Sequence, residues 1–194
     1  MLLRLALSAT LLTPIAHVIV LWSENLDAVT SPIIDLSRGP FAWIHSTGLL
    51  WFGLAHLCLA AALAGLDRGK LWPFARTLVA AAGVTLVYTA WFFATVPDSS
   101  STVENDPLWI VASLIGIAMG ALQPGLSRIN RILGLYSAVF LGLWLWLVPL
   151  AFFVTDHWIG AYERLVGIVY VSWMTGVVAQ LIRLEAGSPS DTTA

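Results

Sequence analysis

Six long apolar stretches constrain the fold of this 194-residue chain more than any other feature. A helix needs about 20 predominantly apolar residues to cross a bilayer. The stretches that approach or exceed this length are Leu5–Trp22, Phe41–Gly65, Phe74–Val96, Leu108–Leu122, Ile132–Val154 and Tyr162–Leu184. The fourth stretch is short, so it could tilt less in the bilayer or be extended by its flanks. With that allowance, we predict an all-α fold, a polytopic membrane protein folded as a six-transmembrane-helix bundle.

The shortage of charge supports a bilayer as the solvent of this chain. Only 10% of the residues are charged, 59% are hydrophobic and the mean hydropathy is +0.86, whereas soluble domains carry roughly 25% charged residues. The net charge of -2 provides no basic surface for nucleic acid, so we expect no nucleic-acid partner. A single cysteine, Cys58, excludes an internal disulfide and a four-cysteine metal site.

The short linkers predict one domain, residues 1–186, followed by a tail at residues 187–194. The tail has no large apolar side chain to bury, so we expect it to be mobile. The first stretch follows Arg4 in the manner of a signal peptide, but no small-x-small cleavage site comes after it. We therefore expect this stretch to be retained as a membrane span.

Basic residues are distributed unequally between the two sides of the predicted bundle. Seven of the nine lie on the side of the termini, namely Arg4, Arg68, Lys70, Arg76, Arg128, Arg131 and Arg183. Only Arg38 and Arg164 lie on the opposite side. Since short cytoplasmic loops are enriched in Lys and Arg, we predict a protein integral to the cytoplasmic (plasma) membrane with both termini in the cytoplasm.

Ten tryptophans are present, and their positions suggest two roles. Those near predicted helix ends fit an aromatic belt at the membrane interface: Trp22, Trp43, Trp109 and Trp158 on the outer side and Trp72 on the inner side. The deeper ones are Trp51, Trp144, Trp146 and Trp173. Deep indoles fill the core or face lipid, or alternatively they wall a cavity for a lipid, a quinone or another hydrophobic small molecule.

Small residues spaced four apart predict where helices approach closely. Helix four carries Gly116 and Gly120, helix five carries Gly134, Ala138 and Gly142, and helix two carries Ala61 and Gly65. We interpret these faces as intramolecular packing surfaces, with a homodimer seam as the alternative.

Polar residues that could carry chemistry concentrate in the predicted outer half. Helical spacing places Thr10, Thr13 and His17 on one face of the first helix, and it places Glu163 and Tyr170 on one face of the last. Such groups are costly in a bilayer, so we expect them to meet in an outward-facing polar vestibule that binds a ligand. The candidates are His17, Asp35, Ser37, Arg38, His45, Asp98, Asp156, His157, Glu163 and Arg164.

No metal or cofactor site is assigned by the sequence. Imidazoles and carboxylates are common zinc ligands, but no two histidines show the spacing that places ligands on adjacent turns. His45 and His56 share a helix face, yet at 1.5 Å per residue they are about 16 Å apart along the axis. A metal site would therefore have to combine ligands from several helices. The alternative is that the histidines form hydrogen bonds between helices.

Arg164 has two interpretations at this stage. It binds a lipid headgroup beside Glu163, which interacts favourably with a helix N-terminus, or it reaches an acid such as Asp35 or Asp98 in the vestibule.

Two functional hypotheses follow, and the sequence does not decide whether the protein is an enzyme. The first is a non-enzymatic membrane component that binds a lipid or hydrophobic ligand through the vestibule, or serves as a subunit of a membrane complex. Its partners would be membrane lipids, a membrane protein or a second copy of the chain. The second is a metal-dependent membrane-embedded lipid hydrolase. It would be favoured if Asp98, Asp156, His157 and Glu163 lay within about 5 Å of His17 or His45, around a metal-bound water.

Several short motifs resemble a family of bacterial and archaeal six-helix membrane proteins catalogued as domain of unknown function 998. They are the segment Ser31–Pro40 leading into Phe41-Ala42-Trp43, the V-P-D of residues 96–98 and the G-x-x-E-R of residues 160–164. The resemblance implies a six-helix fold and directs attention to Asp35, Ser37, Asp98, Glu163 and Arg164, but it implies no established activity. The family pattern has a histidine near the start of helix four, where this chain has Asp106-Pro107-Leu108-Trp109.

Overall fold

The protein, analysed as a computed structural model, is described over residues 1–66, 68–95 and 106–187, with residues 106–108 as helical backbone only. The six long helices are α1 (Leu2–Ser23), α2 (Ala42–Leu63), α3 (Trp72–Thr95), α4 (Asp106–Ile129), α5 (Arg131–Leu150) and α6 (Ile159–Gly187). Three short 3-10 helices cover Ile33–Ser37, Ala151–Phe153 and Asp156–Trp158. The predicted all-α six-helix bundle is confirmed, and the described residues contain no strand.

Each of the six helices is long and apolar enough to cross a bilayer, with a mean hydropathy between 1.6 and 1.9 over its most apolar window. The chain is therefore an integral membrane protein. Most of the predicted tail, residues 188–194, lies outside the described residues, while Gly187 ends α6.

The main difference from the predicted boundaries is in α4, which runs seven residues beyond Leu122 to Ile129. Pro124 lies inside this helix, although proline lacks a backbone donor. The actual break comes at Asn130. Its side chain accepts from the backbone N–H groups of Ile132 and Leu133, at 2.8 and 3.2 Å, and so caps the start of α5.

The helices form a closed ring in which each packs against its neighbours in the chain and α1 packs against α6. The connections α1–α2, α3–α4 and α5–α6 share one end of this ring, which we call the long-loop end. The other end, called the short-loop end, carries the remaining two connections and both termini. A closed ring leaves a central space that side chains from all the helices can line.

Close helix approach depends on glycine, as predicted, but at partly different positions. Gly116 packs against the Trp144 indole, and a Cβ at Gly116 would lie 2.7 Å from Trp144 Nε1. This supports an intramolecular role for Gly116 of α4. The prediction for α2 was wrong, because its closest crossing uses Gly53 rather than Gly65. A Cβ on Gly53 would lie 2.8 Å from the carbonyl oxygen of Gly83 on α3.

The tryptophans also separate into two groups. Trp72 was predicted to lie at the membrane interface, but it is only 3% exposed. Its indole N–H donates to the carbonyl of Leu63 at 3.0 Å and so satisfies the end of α2. Among the deep indoles, Trp144 and Trp173 are buried, whereas Trp51 and Trp146 lie on the outer surface of the bundle.

Candidate functional site: a cavity near the long-loop end

A cavity of about 420 Å³ lies inside the ring. This volume falls within the range of small-molecule pockets. Its walls are mostly apolar and aromatic, with Leu49, Phe52, Trp109, Ala112 and Trp144 among them. The charged and imidazole side chains that line it are His17, His45, Glu163 and Arg164. The cavity thus combines an apolar body with one polar end.

The polar end is built where α1 finishes, α2 begins and α6 begins. The rings of His17 and His45 meet edge to face, with centroids 5.9 Å apart. His45 is buried, and the Nε2 atom of His17 is buried without a hydrogen-bond partner among the described residues. Thr13, one turn before His17, donates across to the carbonyl of Gly48 at 3.1 Å and joins α1 to α2.

Arg164 is fixed at one nitrogen and unpartnered at the other two. Its Nη1 donates to the carbonyl of Ser31 in the α1–α2 connection at 2.7 Å. Its Nε and Nη2 atoms are buried and have no hydrogen-bond partner within the part of the chain that the structure describes. Arg164 lines the same cavity as His17 and His45. Buried N–H donors that are left unused are costly, so these two nitrogens have capacity for an acceptor.

Gly160 permits this position of Arg164. A Cβ at residue 160 would lie 2.7 Å from Arg164 Nη1 and 2.8 Å from the carbonyl of Val29. That carbonyl instead accepts from the backbone N–H of Ala161 at 3.0 Å. The glycine of the G-x-x-E-R motif therefore lets the α1–α2 connection pack directly on the first turn of α6.

Glu163 has a different function from the one predicted. Because α6 begins at Ile159, Glu163 lies beyond its first turn and does not cap it. Its Oε2 accepts from the backbone N–H of Ile33 at 2.5 Å, which caps the 3-10 helix Ile33–Ser37. An acid on α6 thereby holds the connection that covers the polar end of the cavity.

The rest of the α1–α2 connection is braced by two more carboxylates. Glu24 accepts from the backbone N–H of Phe41 at 2.9 Å, at the start of α2. Asp27 accepts from the backbone N–H of Val29 and from the side chain of Thr30. These hydrogen bonds, the one from Val29 first, lower the pKa of Asp27 below its ordinary value. The braced turn presents the Ser31 carbonyl to Arg164.

The deep end of the cavity is aromatic. Tyr170 lies about 9 Å along α6 from Arg164, with Phe52 and Trp144 at ring-centroid distances of 5.1 and 5.7 Å. The hydroxyl of Tyr170 donates to Nε2 of His56, which is fully buried. His56 is the donor at its other nitrogen, Nδ1, because its partner there is the carbonyl of Phe52 at 2.6 Å. The mid-bundle histidine thus bonds between helices, as one interpretation of the sequence predicted.

One wall of the cavity reaches the outer surface. Val18 of α1 and Ile168 of α6 both line the cavity, yet they are 62% and 63% exposed. The gap between α1 and α6 is therefore a lateral opening toward the hydrocarbon that surrounds a membrane protein.

The structure separates the predicted vestibule residues into two groups. His17, His45, Glu163 and Arg164 line the cavity together, whereas Asp35, Ser37, Arg38, Asp156 and His157 do not. Asp35 and Arg38 form an exposed ion pair at 3.3 Å, and Asp156 and His157 are exposed in their own 3-10 helix. Ser37 is buried outside the cavity, and Asp98 lies outside the described residues.

These positions bear on two other expectations. The hydrogen bond of Arg164 goes to a carbonyl, while Asp35 pairs with Arg38, so the predicted link from Arg164 to Asp35 is not formed. Among described residues, no group of three or more His, Cys, Asp and Glu side chains is placed to hold a metal ion.

The sequence analysis missed most of the apolar lining. Leu49 and Phe52 lie between His45 and His56 at spacings of three and four residues, so one face of α2 carries all four. That spacing was an available signal. For Trp109 and Ala112 the sequence contains no comparable signal that they line a cavity, because the residues that face them come from distant parts of the chain.

No family model, curated protein or solved structure matches this chain. The resemblance to domain of unknown function 998 stays a prediction, and the cavity geometry is the available guide to function.

Proposed function

We propose that this protein binds a lipid or another hydrophobic ligand inside its six-helix ring. The observation that carries the proposal is the cavity of about 420 Å³ with an apolar body, one polar end and a lateral opening. Burial of apolar ligand surface against these walls supplies affinity, at roughly 25 cal/mol per Å² before the costs of association. The polar end sets the orientation of the ligand.

The orientation in the membrane is part of the same proposal. The excess of Lys and Arg on the short-loop side supports cytoplasmic termini in the plasma membrane, with the polar end of the cavity toward the outside. In a Cys58→Ser background, an impermeant maleimide should label Thr155→Cys in intact cells and leave Lys70→Cys unlabelled. The reverse pattern would refute this orientation.

Two glycines provide a matched pair for testing the binding proposal. A Cβ at Gly167 or at Gly142 would meet nothing within 4 Å, so both positions have room for a larger residue. Only Gly167 lines the cavity, whereas Gly142 is exposed on α5. Gly167→Leu should fill the binding space without disturbing helix packing, and Gly142→Leu should leave it open.

Native mass spectrometry of the protein purified in mild detergent measures the outcome. We expect wild type and Gly142→Leu to retain a lipid-sized adduct and Gly167→Leu to lose most of it. Equal retention by all three, or no adduct on any of them after added lipid, would contradict binding in the cavity.

A further inference from the structure

The unused donors of Arg164 define the chemistry of the ligand's polar group. Nη1 is occupied by the Ser31 carbonyl. The two unpartnered nitrogens, Nε and Nη2, form one edge of the guanidinium plane. The two N–H groups on such an edge match the two oxygens of a carboxylate or phosphate and form paired, charge-assisted hydrogen bonds.

A neutral polar group uses this edge poorly. A hydroxyl or ester oxygen supplies one acceptor atom and no charge, so one donor of Arg164 would stay unsatisfied. His17 Nε2 is also buried without a partner among the described residues, and it can donate to an oxyanion in the tautomer that carries its proton there. Glu163, the other charged residue lining the cavity, is engaged with the backbone N–H of Ile33.

We propose that the polar end of the cavity is an oxyanion site, in which the Nε–Nη2 edge of Arg164 binds the anionic head of a lipid. The chain of that lipid lies along the apolar walls and leaves through the opening between Val18 and Ile168. This inference rests on the proposed function and deepens it, since it names the ligand as an anionic amphiphile. A free fatty acid and a phospholipid phosphate share the required chemistry.

The test compares probes that differ only in their head. A fatty acid with a photoactivatable diazirine in its chain is titrated against the fatty alcohol of the same chain, and labelling of cavity-lining peptides is quantified by mass spectrometry. We expect the acid to label the cavity of wild type at a concentration about tenfold lower than the alcohol does. A phosphatidic acid with the same diazirine chain, run in parallel, distinguishes a phospholipid from a free fatty acid.

Variants assign this preference to Arg164. Arg164→Gln should remove the preference, so that acid and alcohol label at the same concentration, and Arg164→Lys should retain only part of it, because an ammonium lacks the paired donors. Arg38→Gln, which removes an exposed cation, should behave as wild type. Cavity labelling by the alcohol in Arg164→Gln reports that this variant is folded.

The outcomes separate this inference from the binding proposal. Equal labelling by acid and alcohol in wild type, or an acid preference that survives Arg164→Gln, would overturn the oxyanion site and leave ligand binding in place. Failure of every probe to label cavity-lining peptides would overturn both.

Discussion

At the scale of single residues, the cavity contains polar groups whose hydrogen bonds are complete and others whose hydrogen bonds are not. His56 uses both ring nitrogens, one toward Phe52 and one toward Tyr170. Arg164 and His17 each leave buried donors or acceptors unused among the described residues. An unsatisfied buried polar group costs about 1–3 kcal/mol. The His56–Tyr170 pair therefore stabilises the fold, whereas the unused groups of Arg164 and His17 are available to a ligand.

The Tyr170–His56 pair should contribute measurably to stability. Tyr170→Phe leaves Nε2 of His56 buried without a donor, and we expect a loss of about 1–3 kcal/mol in the free energy of unfolding. Tyr88→Phe is the matched control, because Tyr88 is 56% exposed on α3. Denaturation in detergent micelles measures both variants, and equal stability of the two would contradict the role assigned to the pair.

At the scale of elements, the α1–α2 connection is held on the bundle by α6. Three hydrogen bonds more than 100 residues apart in sequence do this, namely Glu163 to Ile33, Arg164 to Ser31 and the backbone bond from Ala161 to Val29. The sequence indicated that residues 163 and 164 were unusual, but it did not indicate their partners. Both partners are backbone atoms, which carry no side-chain identity for a pattern to reveal.

Weakening the Glu163 contact should loosen the 3-10 helix Ile33–Ser37. Glu163→Gln replaces a charge-assisted hydrogen bond with a neutral one about half as strong, so we expect amide exchange at Ile33 to rise on the order of fivefold. Asp35→Asn is the control, because the Asp35 side chain pairs with the exposed Arg38 and such surface ion pairs typically contribute little. Unchanged exchange in Glu163→Gln would show that Glu163 does not cap this element.

The crossing of α2 and α3 depends on Gly53 and Gly83. A Cβ on Gly83 would lie 2.9 Å from the carbonyl oxygen of Gly53, so Gly83→Leu forces the helices apart. We expect a destabilisation of about 1–3 kcal/mol, measured by thermal or denaturant unfolding in micelles. Gly142→Leu introduces the same side chain on an open surface and should be neutral. If both variants unfolded alike, the close crossing would not contribute to stability.

At the scale of the whole molecule, closure of the ring creates the cavity. The number and type of helices follow from apolar length alone, which is why the sequence predicted them. Apolar length could not predict that α1 packs against α6, because apolar helices present similar surfaces to lipid and to each other. The sequence therefore indicated His17, His45, Glu163 and Arg164 as unusual, and it offered an aromatic-walled cavity as one role of the deep tryptophans, of which Trp144 lines the cavity. It did not indicate the lateral opening.

The most direct test of ligand binding is to locate a bound chain. A diazirine fatty acid is photolysed with the wild-type protein in native membranes, and the modified residues are mapped over the described helices. The proposed function predicts adducts on inward-facing residues such as Leu49, Ala112 and Val171, which line the cavity, and loss of these adducts in Gly167→Leu. Adducts confined to outward-facing residues such as Trp51 and Trp146, unchanged in Gly167→Leu, would contradict it.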